Sequence, residues 1–136
     1  MPEAPERERV VVDASALVDL LSGAESAFAV RQRLRGTVLH APAHVDAEVL
    51  SALGRMNRAG DLPSTKVDVA LERIATMPVT RHPLADLVSG AWARHDGLRL
   101  VDALYVELAT RVQAPLLTLD RRLARASPVA EAIVAG

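Results

Sequence analysis

The chain has 136 residues, a formal net charge of −1 and a hydrophobic share of 50%, enough for one domain with its own core. It contains no Cys, which excludes a disulfide framework and thiolate chemistry, and its single Trp, Tyr and Phe supply no aromatic platform for stacked bases. Near-neutrality gives no broad basic field for nucleic acid, although carboxylates gathered at one place would mask arginines beside them.

Residues 1–8 lack the apolar centre of a signal peptide and read as a disordered lead, and no apolar run is long enough to span a bilayer, so the expected location is the cytoplasm. A single domain is expected over 9–136. Val10-Val11-Val12 favours a buried strand that ends at Asp13. Ser15 is placed to cap a helix beginning at Ala16 and running to Ser22, where Gly23 stops it. A strand running into a helix is the first unit of an α/β sheet, whose ligands bind outside the carboxyl ends of the strands. Asp also opens turns for purely local reasons.

A second helix is expected over 25–35, with Phe28, Val30 and Leu34 available for packing and Arg31, Arg33 and Arg35 turned outward. A short strand follows at 37–41. Residues 43–59 carry Val45, Val49, Ala52, Leu53 and Met56 on one helical face, with Glu48 at its border. Pro63 opens a further helix packed through Val67, Ala70, Leu71 and Ile74, and Val79 marks a brief strand. Pro83 starts a helix with Leu84, Leu87, Val88 and Ala91 inward and Trp92 near its end. The last long helix spans 98–112, with Val101, Leu104, Tyr105, Leu108 and Val112 at helical spacing and Asp102 near its start. Residues 115–120 repeat the opening logic, a short apolar strand followed by Asp120, and Arg121-Arg122-Leu123 begins a short helix. The tail, 129–136, is a strand or turn with Ile133 and Val134 packed on an edge. Strand candidates joined by long helical crossovers define an α/β fold, a three-layer α/β/α sandwich around a mainly parallel sheet of four or five strands.

Four acids stand out. Asp13 and Asp120 end strands; Glu48 and Asp102 border apolar helical faces, where an unpaired charge is costly. Converging at one sheet edge they would repel one another, and Mg²⁺ or Mn²⁺ relieves that repulsion because hard cations take oxygen ligands. Acids at helix borders also simply reach solvent. Asp19 reads as solvent-facing, Asp46 points away from Glu48 around its helix, and Asp96 suits a turn. The four His show no zinc-like spacing; His44, one turn before Glu48, is a candidate to orient it. Trp92 and Tyr105 read as packing residues. Arg121 and Arg122 either hold phosphates or face water.

Taken in order, four stretches resemble the PIN domain, specifically the VapC toxins of toxin–antitoxin pairs. They are Val11-Val12-Asp13-Ala14-Ser15-Ala16-Leu17, the helix with Ala47-Glu48-Val49, Leu100-Val101-Asp102-Ala103-Leu104-Tyr105, and Leu116-Leu117-Thr118-Leu119-Asp120-Arg121-Arg122-Leu123. The resemblance implies a ribonuclease dependent on Mg²⁺, with Mn²⁺ able to substitute. Asp13, Glu48, Asp102 and Asp120 would be its catalytic and metal-site residues, with Ser15 and Thr118 as supporting hydroxyls. Asp13 would bind the metal directly, Glu48 and Asp102 would complete that position, and Asp120 would act through water or hold a second ion. A metal-activated water would cleave an RNA phosphodiester, leaving 5′-phosphate and 3′-hydroxyl ends; transfer and ribosomal RNA both fit the family. The resemblance also implies a homodimer and a cognate VapB-like antitoxin, and no membrane partner. Leu17, Leu20, Leu21, Phe28 and Leu34, on two short helices, are candidates to form a groove for an antitoxin helix or, alternatively, to fill the chain's own core.

Other readings leave different traces. A haloacid-dehalogenase-like phosphatase would carry a second Asp where Ser15 stands, and a phosphoacceptor receiver domain would need a Lys near its end, whereas the one Lys is Lys66 inside a helix. A non-catalytic PIN-like interaction module, or a stand-alone PIN nuclease without antitoxin, would keep the same acids.

Overall fold

A computed structural model describes residues 6–134. Five strands, β1 (Arg9–Val12), β2 (Val38–Pro42), β3 (Val79–His82), β4 (Leu116–Thr118) and β5 (Ala130–Ala132), form one sheet in the order β3-β2-β1-β4-β5. All four pairings are parallel. The three valines of β1 are fully buried because β1 is the central strand, covered on both faces. Among the described residues seven helices connect and cover the strands, α1 (Ala14–Ser22), α2 (Ala27–Leu34), α3 (Val45–Arg58), α4 (Ser64–Thr76), α5 (Val88–Trp92), α6 (Leu100–Val112) and α7 (Arg121–Ala126), with a 3-10 turn at Leu84–Asp86. Helix α6 packs on β1 and β2, while α1 reaches β4 and gathers α2, α3 and α4 around it. No helix among the described residues is long and apolar enough to cross a membrane.

The core is built from small and branched aliphatics. Leu17, Leu53, Leu87, Leu108, Leu116 and Leu117 join Val10, Val11, Val12, Val30 and Val45 in it, and Tyr105 is its one large aromatic. Glycine acts where the chain must reverse: Gly23, at φ 73°, closes α1.

Several expectations change. Ser15 does not cap α1. Asp13 does so, accepting from the Ala16 amide, and the helix starts earlier, at Ala14. Leu17, Leu20, Leu21 and Leu34 are largely buried in the chain's own core, where α1 is packed against α2, α3 and α4, while Leu20 and Leu34 also border a hollow of about 310 Å³ with Leu39 and Met77; of that set only Phe28 is exposed, at 65%. Val88 does not point inward, because Leu87 and Ala91, four residues apart, take the buried face and Val88 shares the other face with Trp92; Trp92 is 60% exposed and stacks on His95. Val134 is likewise exposed, whereas Ile133 is buried. Residues 1–5 of the expected lead lie outside the described residues. Arg7 is fixed to the Gly36 and Thr37 carbonyls, and Glu8 accepts the Val38 amide at its backbone and pairs with Arg33 at its side chain.

Candidate active site

Parallel pairing decides where the first functional groups meet. Val12 stands opposite Leu117, so the residues that follow, Asp13 and Thr118, leave the sheet side by side. Thr118 Oγ1 donates to Asp13 Oδ2 and accepts the Asp120 amide at 2.9 Å. Ser15 Oγ donates to Asp13 Oδ1 at 2.7 Å and accepts the Leu119 amide at 3.2 Å. The two hydroxyls thus staple the end of β1 to the end of β4 and hold one carboxylate between them. Asp13 caps α1, and Asp120 caps α7 by accepting the Arg122 and Leu123 amides. Both carboxylates sit at helix N-termini, where backbone amides favour negative charge.

Asp13, Glu48, Asp102 and Asp120 all line one cleft of about 360 Å³, with Ser15, Asp19, Tyr105, Arg55 and Arg99 among its other walls. They come from four separate places: the end of β1, the first turns of α3 and α6, and the turn after β4. A neighbouring hollow of about 140 Å³ shares Arg99, Asp102 and Asp120 and adds Arg122. Arg121 lines neither hollow.

The electrostatics are those of a site short of positive charge. Asp13 is 6% exposed. Burial pushes its carboxyl above the ordinary value; the hydrogen bonds from Thr118, Ser15 and Ala16 oppose that shift, and the charge of Asp102 adds to it. Asp102 is also raised, first by burial and then by Asp120 and Glu48, with Arg99 opposing. Arg99 lies 3.3 Å from Asp102, and Arg122 lies 3.8 Å from Asp120. Both arginines are largely exposed, so their pairing is weak.

The acids suit a hard divalent cation by donor type, being carboxylate oxygens with uncompensated charge. Among the described residues no three His, Asp or Glu side chains are gathered tightly enough to enclose an ion by themselves. Mg²⁺ accepts such a site because it keeps several of its waters and takes one or two carboxylates directly.

Four wall residues escape a reading of the sequence. Tyr105 has the spacing of a packing residue, yet its hydroxyl donates to Glu48 Oε1 at 2.6 Å. Its place one turn after Asp102, as the lone Tyr of an aromatic-poor chain, is the available signal. Asp19, half-buried, faces the open cleft rather than the outer surface, held by the Ser26 hydroxyl at 2.6 Å. Arg55 and Arg99 have no local motif to mark them. Asp46, which helical phase turns away from Glu48, is bound bidentately by Arg81.

A parallel five-stranded sheet with acids collected at its carboxyl edge defines a class, and the PIN domain family model matches residues 10–127. The chain belongs to the PIN-domain family, within the VapC ribonucleases of toxin–antitoxin systems. It is 62% identical to Ribonuclease VapC3 of Mycobacterium tuberculosis over 127 residues, covering 93% of each chain. It is 37% identical to Ribonuclease VapC1 of the same organism over 121 residues, covering 88% of this chain and 91% of that one. In fold it is similar to PAE2754 from Pyrobaculum aerophilum, with TM-score 0.68, 26% identity and coverage of 93% and 84%. It also matches the fold of M. tuberculosis VapC20, described as a sarcin–ricin-loop-cleaving toxin, with TM-score 0.63, 24% identity and coverage of 87% and 95%.

Proposed function

We propose that this chain is the toxin of a toxin–antitoxin pair and hydrolyses RNA phosphodiester bonds at the acidic cleft, using Mg²⁺ or Mn²⁺. The observation that carries this reading is that acids from four separate elements line one cleft, in which buried Asp13 and half-buried Asp102 are pushed toward protonation by burial and by neighbouring acids, Asp102 on Asp13 and Asp120 and Glu48 on Asp102. Such an arrangement destabilises the isolated chain and is relieved by a cation.

Asp13, with Glu48 and Asp102, would hold the ion, and Asp120 would reach it through water or hold a second. When bound, the ion supplies an acidified water and stabilises charge on the transferring phosphoryl group. The chain's own residues do the positioning. Thr118 and Ser15 each donate to a different oxygen of Asp13, which fixes the plane of the carboxylate. Ser15 therefore has its proton committed to Asp13 and is not an attacking group. Arg55 and Arg99 on the cleft wall, with Arg122 and Arg121 beyond, would hold backbone phosphates of the RNA. Transfer and ribosomal RNA are the substrate classes proposed.

A small VapB-like antitoxin and a homodimeric assembly follow from the same reading. Phe28, exposed on α2 beside a hollow shared with Ile133 and Val134, is a candidate contact for the antitoxin, with Leu20 and Leu34 at a second hollow across α2.

The test is cellular. The chain is induced without its neighbouring gene, and new 5′-phosphate ends are mapped across all RNAs, in parallel with Asp13→Asn. Discrete cleavage that disappears in the variant, and on co-expression of the neighbour, is expected. Identical cleavage maps for the two proteins would refute the assignment of the site. A neighbour that neither binds nor suppresses cleavage would leave a stand-alone nuclease.

A further inference from the structure

Glu48 is held from beneath. Tyr105 is 2% exposed on α6, and its hydroxyl, with one proton to donate, gives it to Glu48 Oε1 at 2.6 Å across to α3. The ring of His44 lies against that of Tyr105, centroids 4.9 Å apart and tilted by 52°. Its Nε2 stands 3.2 Å from the same Oε1, although it is not aligned for a hydrogen bond and neither ring nitrogen has a partner. Oε1 is therefore enclosed by Tyr105 and His44, while Oε2 takes no hydrogen bond from any described residue. A Glu carboxylate has three rotatable bonds, and this side chain is 32% exposed. Without its anchor it can swing to water at little cost. The rest of the core is aliphatic, and a phenyl ring would fill the space that Tyr105 fills. The hydroxyl is the part that packing does not explain.

We propose that Tyr105 is a positioning residue of the cleft: by holding Oε1 of Glu48 it leaves Oε2 presented to the site and sets how tightly the acids hold a divalent cation. This rests on the reading of Glu48 as a cation-holding residue. Outer partners that orient a ligating carboxylate commonly contribute on the order of 10–100-fold to metal affinity. Tyr105 acts on the ion through Glu48.

The test is metal binding, independent of RNA. Mn²⁺ is titrated by EPR into the purified chain, Tyr105→Phe, Glu48→Gln and the double variant, with melting temperatures taken in chelator. Tyr105→Phe is expected to weaken Mn²⁺ binding about tenfold with its chelated melting temperature little changed, and to add nothing in the Glu48→Gln background. Wild-type Mn²⁺ affinity in Tyr105→Phe, with Glu48→Gln impaired, overturns the proposal. So does full additivity of the two changes. Wild-type affinity in Glu48→Gln shows instead that the assignment of Glu48 fails, and the proposal with it. A readout that needs no folded variant also exists, because Tyr105 is the only Tyr of the chain. Biosynthetic 3-fluorotyrosine labels that position alone, and Mg²⁺ is expected to shift its ¹⁹F resonance. Mg²⁺ binding seen by calorimetry with the ¹⁹F resonance unmoved would overturn the proposal.

Discussion

Asp102 and Glu107 sit on the same helix in opposite electrostatic conditions. The Glu107 side chain is 12% exposed, with Arg94 at 3.1 Å and Arg111 at 2.7 Å. Burial alone would raise its carboxyl, but hydrogen bonds from Arg111 and Arg94 outweigh that and hold it below the ordinary value. Gly90 completes the arrangement, since a Cβ there would strike the Glu107 carboxylate; the missing side chain lets α5 close over the ion pairs. The Asp102 side chain is 22% exposed and has one exposed arginine, with burial, Asp120 and Glu48 pushing its carboxyl upward. A carboxylate neutralised by its own chain belongs to the scaffold. One left uncompensated beside three others marks the place where an outside cation is worth most.

Exchanging the charges should separate the two roles most sharply. Asp13→Asn is expected to lower RNA cleavage by on the order of 100-fold or more while leaving the metal-free fold as stable as before or more so. Glu107→Gln should do the reverse, keeping cleavage and losing about 1 kcal/mol of stability as two arginines lose their charged partner. Cleavage rates and denaturant melts of both variants decide it. A Glu107→Gln protein that folds normally but cannot cut RNA would break the distinction.

That distinction is half legible in the sequence. The strand-to-Asp pattern recurs at Asp13 and Asp120 because a parallel strand must hand over to a helix, and a capping acid is favoured at that junction. Helical period locates Glu48 and Asp102 at the borders of apolar faces for the same local reason. The partners are hidden because they are set by tertiary packing. Nothing near Glu107 announces that Arg94, from beyond α5, returns to it, and nothing near Glu48 announces Tyr105. The leucines of α1 keep both readings open because an apolar face looks the same whether its cover comes from α3 and α4 or from another protein.

Cation addition is the next largest effect. An ion that binds only the folded chain stabilises it by about 2.7 kcal/mol at a concentration 100 times its dissociation constant. Melts with and without Mg²⁺ should show this for the wild type and for Glu107→Gln, and little of it for Asp13→Asn. An equal rise in all three would place the ion elsewhere.

Acid should move the two regions in opposite directions. Asp13 and Asp102 have folded values above their unfolded ones, so in chelator the folded state gains relative stability as pH falls from neutral through those raised values toward the ordinary carboxylate range. Glu107 has a folded value below its unfolded one, so its contribution is complete above the ordinary carboxylate value and is lost as pH falls further through the depressed one. The wild-type melting temperature should therefore hold or rise on mild acidification and drop below about pH 4, given ordinary carboxylate values near 4. Asp13→Asn should flatten the first part of the curve and Glu107→Gln the second. The same curve for all three proteins would mean that other groups govern it.

The smallest effect concerns arginines, and the same contrast predicts which ones RNA can use. Arg94 and Arg111 are committed to Glu107, whereas Arg122 keeps only a long contact with Asp120 and has a side chain 79% exposed. A cation already paired inside the protein releases few counterions from RNA; a loosely paired one beside the cleft releases them fully. Replacing Arg121 and Arg122 with Ala should therefore weaken RNA binding by a similar factor for every sequence. It should also reduce the slope of log affinity against log salt by about one for each phosphate no longer neutralised. Arg111→Ala should leave the slope alone and lower the melting temperature. Binding is best measured with Asp13→Asn in the background, so that the RNA survives the titration. An unchanged slope in the Arg121→Ala, Arg122→Ala protein would return both side chains to ordinary solvated surface. It would leave Arg55 and Arg99, which line the cleft itself, to hold the backbone.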